Sequence, residues 1–103
     1  MFKKIERKSD IYQVTENFFV EAFERTDKDE ATIELWIWHK WYGIKTLLIG
    51  LPKKNVGPDG YFASIEDLIT SEFKQGMLRY YDESMEYDER VEEEIEKYCA
   101  ENP

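Results

Sequence analysis

Between Ala31 and Leu51 the chain alternates at the period of a β-strand, with Ile33, Leu35 and Ile37 on one side and Glu34, Trp36 and Trp38 on the other. That spacing predicts a strand over 31–39. A second strand, over 44–51, follows Lys40-Trp41-Tyr42-Gly43, whose closing glycine can take the positive φ of a tight hairpin. Pro52 to Ala63 holds Pro52, Gly57, Pro58 and Gly60, which interrupt ladders and helices alike, so this stretch reads as a loop. At Ser64 the period becomes helical. Ser64-Ile65-Glu66-Asp67 matches a capping box, and Ile65, Leu68, Ile69, Phe73, Met77 and Tyr80 form an apolar stripe that predicts a helix over 65–82. Gly76 sits inside that stripe at a cost of about 1 kcal/mol relative to Ala, which points to close packing or a bend. A last helix is predicted over 87–100 from the narrow stripe Tyr87, Val91, Ile95 and Tyr98.

Residues 9–25 fit two periods. Ile11, Val14, Phe18, Phe19, Ala22 and Phe23 suit a helix, whereas Phe18, Val20 and Ala22 suit a strand that turns through Thr26-Asp27-Lys28-Asp29-Glu30. Our reading is a strand over 17–25, because two strands alone make a marginal sheet. The expected architecture is a single α+β domain over 1–103: a small three-stranded antiparallel sheet, 17–25, 31–39 and 44–51, covered on one face by two C-terminal helices.

Composition adds limits. At 103 residues with 42% apolar and 16% aromatic content, the chain suffices for one modest core and is too hydrophobic for disorder. No apolar run approaches the roughly 20 residues of a bilayer span, and the basic start lacks the apolar stretch of a signal peptide. A cytoplasmic protein is expected, and Cys99, the single cysteine, fits a reducing compartment.

The charge is unevenly placed. Of a net charge of -9, residues 82–101 hold ten acidic and two basic side chains, so the preceding residues are almost neutral. Within that segment Asp82, Glu86, Glu89, Glu93 and Glu96 recur at i, i+4, i+7, i+11 and i+14, which would put five carboxylates on one side of a helix about 21 Å long. Like charges at that spacing repel, so the row is either a solvated, solubilising face or matched to cations elsewhere. The net charge argues against nucleic acid or an anionic membrane as direct partner and for a basic protein.

Catalytic signatures are missing from the pattern. His39 is the only histidine and has no acid or nucleophile at a recognisable spacing, so a structural or surface role is expected and no enzyme is predicted. Cys99 lies among acids that disfavour its thiolate. Asp82-Glu83 and Asp88-Glu89 lack the spacing of a calcium loop, and Gly57-Pro58-Asp59-Gly60 is a turn without the lysine of a phosphate loop; no metal or cofactor is expected. Trp36, Trp38, Trp41 and Tyr42 offer a different surface. If Ile33, Leu35 and Ile37 face the helices, Trp36 and Trp38 face away, either covered by the N-terminal segment or free to pair with a partner or a second copy of the chain.

The run Ser64-Ile65, Ile69, Phe73-Lys74-Gln75-Gly76 and Tyr81-Asp82-Glu83, followed by further acids, resembles the helical C-terminal half of the small type II-A anti-CRISPR proteins of Listeria prophage. The likeness covers about a quarter of the chain, roughly residues 64–89. It implies a short N-terminal helix, a three-stranded sheet and two helices, and a DNA mimic whose acids fill the basic cleft in which a CRISPR effector nuclease reads its target duplex. Asp82 and Glu83 match that family's acidic pair. The family's acidic turn between later strands is replaced here by His39-Lys40-Trp41-Tyr42-Gly43, so that contact does not carry over.

Overall fold

A computed structural model of the chain describes residues 3–5, 10–26, 29–41, 44–84 and 89–101, with side chains from residue 10 onward except at Glu83 and Ser84. Strands β1 (Lys3–Ile5), β2 (Asp10–Gln13), β3 (Phe18–Arg25), β4 (Thr32–His39) and β5 (Thr46–Pro52) precede helices α1 (Ile65–Ser84) and α2 (Glu89–Glu101). All neighbours are antiparallel, in the order β1-β2-β3-β4-β5. The α+β class holds, but the sheet is wider than three strands: four run between Asp10 and Pro52, and β1 adds a three-residue edge.

Strand β2 lies where the two periods competed. Ile11 and Tyr12 are both buried on opposite faces, pairing with Glu21 and Val20, and the chain then turns back with the Val14 and Thr15 amides both donating to the Phe18 carbonyl. This tight turn shifts the phase of the alternation, so two short strands imitate a helical spacing. The N-terminal helix implied by the anti-CRISPR likeness is therefore absent among the described residues. The β4–β5 hairpin forms as the alternation requires, with Ile37 opposite Thr46, while Tyr42 and Gly43 lie outside the described residues.

A bulge interrupts that hairpin. Leu35 pairs with Ile49 and Trp36 with Leu47, leaving Leu48 as the additional residue on β5. Arg79 of α1 donates to the Leu47 and Leu48 carbonyls at 2.9 and 3.3 Å, supplying the partners that the irregular ladder does not.

The Ser64 hydroxyl accepts from the Asp67 amide at 3.2 Å and starts α1 as predicted. Leu68, Ile69, Phe73, Met77 and Tyr80 are then buried against Phe18, Val20, Leu35, Ile37 and Leu48 of the sheet. Gly76 marks the closest approach. A Cβ there would stand 1.5 Å from Leu48 Cδ1, so the glycine serves close packing. Helix α2 closes the same layer through Val91 and Tyr98, with the Tyr98 ring 4.5 Å from Phe73 and its hydroxyl donating to the Thr70 carbonyl at 3.4 Å. No helix is long and apolar enough to cross a membrane, among the described residues.

Candidate functional site

The contact between Phe73 and Tyr98 decides how the acidic segment is laid out. On one straight helix those residues would be about 37 Å apart, so their contact means that α2 folds back along α1. The predicted single row of five carboxylates is thereby broken. Asp82 is exposed on α1, whereas Glu89, Glu93 and Glu96 are exposed on α2; Glu86 and the Glu83 side chain lie outside the described residues.

What α2 keeps is a shorter stripe with a member the even spacing had concealed. At about 100° per residue, Glu89, Glu92, Glu93 and Glu96 cover roughly 100° of the helix surface, opposite Val91 and Tyr98. All four are exposed. The stripe runs about 10 Å, which matches about three nucleotide steps of one DNA strand.

These four acids make no ion pair within the described fold. The ion pairs that form lie elsewhere: Lys45 with Glu21 at 2.5 Å, Lys53 with Glu24 at 2.5 Å, Lys54 with Glu30 at 3.2 Å and Arg25 with Glu34 at 3.4 Å. No ion pair to Glu89, Glu92, Glu93 or Glu96 forms among the described residues. Glu89 and Glu92 stand in the first turn, where the helix dipole favours them. Glu96 and Glu101 have no such reason to be acidic, being near the negative end of a helix without a basic residue in its last turn.

Glu94 points inward and ties α2 to the sheet. Its carboxylate accepts from Thr15 Oγ1 at 2.6 Å and from Asn17 Nδ2, both in the β2–β3 turn, while the Thr15 hydroxyl accepts from the Phe18 amide at 3.1 Å. His39 completes this junction. Its Nε2 is 3.9 Å from Glu94, its Nδ1 accepts from the Trp41 amide at 3.2 Å, and its ring meets Phe18 edge-on at 5.0 Å. The Nδ1 contact fixes the tautomer with the proton on Nε2, facing the carboxylate. The imidazole is fully buried, at 0% exposure.

Beside this junction a cleft of about 410 Å³ separates the β2–β3 turn from α2, lined by Thr15, Asn17, Trp41, Arg90, Glu93 and Glu94 among others. Trp41 is 53% exposed and carries the Arg90 guanidinium 4.4 Å from its ring centroid. The four candidate aromatics thus do not share one surface. Trp36 and Trp38 lie on the outer sheet face, where Trp38 stacks on Phe19 at 5.6 Å and Lys45 sits 4.7 Å above it; Trp41 lines the cleft, and Tyr42 is outside the described residues. Strand alternation fixes this division, since Trp41 follows the end of β4 where the chain leaves the ladder.

Cys99 is half-buried, and among the described residues no three His, Cys, Asp or Glu side chains come together in a way that could hold a metal ion. The Tyr98 phenol is pushed above its ordinary value of 10.0, chiefly by burial against α1. Compared with protein-family models, curated proteins and solved structures, the chain has no match.

Proposed function

We propose that the protein is a non-enzymatic inhibitor of anti-CRISPR type, which presents the outer face of α2 to a basic nucleic-acid-binding cleft on an effector protein. The observation that carries this reading is the contrast on α2 itself: Glu89, Glu92, Glu93 and Glu96 are exposed and unpaired among the described residues, on a helix whose other side is anchored by Val91, Glu94 and Tyr98. Anchoring matters because a helix already held on the sheet gives up little backbone freedom on docking. A buried His39 supports the absence of catalysis. The corrected stripe changes the expected interface, since α2 supplies its centre and Asp82 contributes from α1 as a separate contact.

Competition tests it. The native chain is expected to displace target duplex from a guide-loaded type II-A effector nuclease, and the Glu89→Lys, Glu93→Lys double variant to lose that ability with its melting temperature retained. Full inhibition by the double variant would falsify the proposal.

A second reading is favoured by the outer sheet face, where the Phe19–Trp38 stack is flanked by Phe23 and Leu47, each 37% exposed. Under it the chain pairs with a second copy through Trp36 and Trp38, and the acids serve solubility. Sedimentation separates the two: Trp38→Ser would abolish self-association under the second reading and leave effector binding intact under the first.

A further inference from the structure

The two edges of the sheet are finished differently. Strand β1 is three residues long and two of them are lysines, which keeps an exposed edge from pairing. Strand β5, at the opposite edge, runs Thr46-Leu47-Leu48-Ile49-Gly50-Leu51-Pro52 without a single charge. We propose that β5 pairs antiparallel with β5 of a second copy of the chain, joining two sheets across a two-fold axis. This surface differs from the Trp36 and Trp38 face and is independent of the effector reading. Backbone direction identifies the pairing groups. The Lys53 amide donates to the Ala31 carbonyl, so by alternation Leu51 and Ile49 direct their hydrogen bonds to β4 and Gly50 faces away. The bulge at Leu48 turns Leu47 outward as well, and its carbonyl accordingly accepts from Arg79 rather than from β4.

Gly50 points to a neighbour. It is exposed, its φ is not positive, and a Cβ there would meet only Glu34 Cγ, at an ordinary 3.7 Å. Neither conformation nor the chain's own packing calls for glycine, which weakens a strand interior and often marks the close approach of another backbone. With Leu47 of each copy opposite Gly50 of the other, the two outward residues of each strand exchange N–H and C=O groups, and the Leu47 carbonyl has a second lone pair beside the one Arg79 uses. Both residues lie on the outer face, opposite Trp36 and Glu34, so each Leu47 side chain, 37% exposed, covers a glycine. Charge favours the same register. Glu72 and Arg79, two turns apart, share the side of α1 toward β5, and the two-fold sets Arg79 of one copy beside Glu72 of the other. Thr70, which accepts from Tyr98 of α2, is nine residues from Arg79 and so on the opposite side of α1, which keeps the α2 acids away from the axis.

Sedimentation velocity and amide hydrogen exchange of the full chain test the pairing. A dimer in the micromolar range is expected, and the Leu47 and Gly50 amides should gain protection as the protein concentration rises. Gly50→Pro removes an outward donor that β4 does not use, and should weaken the dimer by about tenfold or more with the melting temperature retained. Gly50→Lys, which keeps every backbone donor but sets a charge under Leu47, should do the same. Trp38→Ser should leave the dimer intact. A chain that stays monomeric into the millimolar range, exchange at Leu47 and Gly50 that is independent of concentration, or a dimer lost by Trp38→Ser and kept by both Gly50 variants would overturn the proposal.

Discussion

Glu93 and Glu94 are neighbours on α2 and have opposite uses. Glu94 accepts from Thr15 and Asn17 and faces His39, so it is part of what attaches the helix to the sheet. Glu93 is exposed and joins Glu89, Glu92 and Glu96 in a row that makes no ion pair among the described residues. The sheet shows the other pattern, with Glu21, Glu24, Glu30 and Glu34 each beside a lysine or arginine. Acidic residues on the sheet and at position 94 serve the fold through paired contacts, whereas the outer α2 acids make no ion pair among the described residues, and only Glu89 and Glu92 gain from the helix dipole.

The sharpest way to break this comparison is to truncate the two neighbours. Glu94→Ala leaves the donors of Thr15 and Asn17 without their acceptor and should cost about 2–4 kcal/mol in denaturant unfolding. Glu93→Ala should change stability by less than about 0.5 kcal/mol. Equal losses at both positions would erase the distinction. A smaller effect is expected on the sheet, where Lys45→Ala removes the cation over buried Glu21 and should cost about 1–2 kcal/mol, reduced because the ammonium is itself half exposed.

On α2 the sign should reverse. Replacing Glu93 or Glu96 by Gln relieves like-charge repulsion and should raise stability by a few tenths of a kcal/mol, most visibly at low salt. The inner side of the same helix has its own titration. Because burial holds the Tyr98 phenol above 10.0, the folded state keeps a proton that the unfolded chain releases. Its contribution is therefore complete below pH 10 and is lost as the pH rises through the folded value. Tyr98→Phe should flatten that alkaline decline in thermal melts, and an unchanged decline would place its cause elsewhere.

Which parts of this design were legible in the sequence follows from how local the signal was. Strand β4 and helix α1 could be read because each carries one uninterrupted period and, for α1, a serine cap, and β5 from the apolar run that follows the hairpin link. Strand β2 could not, since four residues followed by a tight turn leave too little alternation to stand against a helical coincidence. The acidic row was overextended for a related reason: a spacing of i and i+4 says nothing of a reversal between α1 and α2, which only the Phe73–Tyr98 contact makes plain. Glu94 was missed because its partners Thr15 and Asn17 lie 79 and 77 residues away in the chain. Glu92 was within reach of the sequence, as a helical projection from Val91 and Tyr98 places it on the outer side.

The most direct test of the central claim is the slope of log affinity against log salt for binding to the basic effector, measured for the native chain and for the Glu89→Lys, Glu93→Lys variant. The account predicts a steep fall with salt for the native chain and no measurable binding by the variant at any ionic strength. An affinity that is flat in salt, or one that the double reversal leaves unchanged, would contradict it.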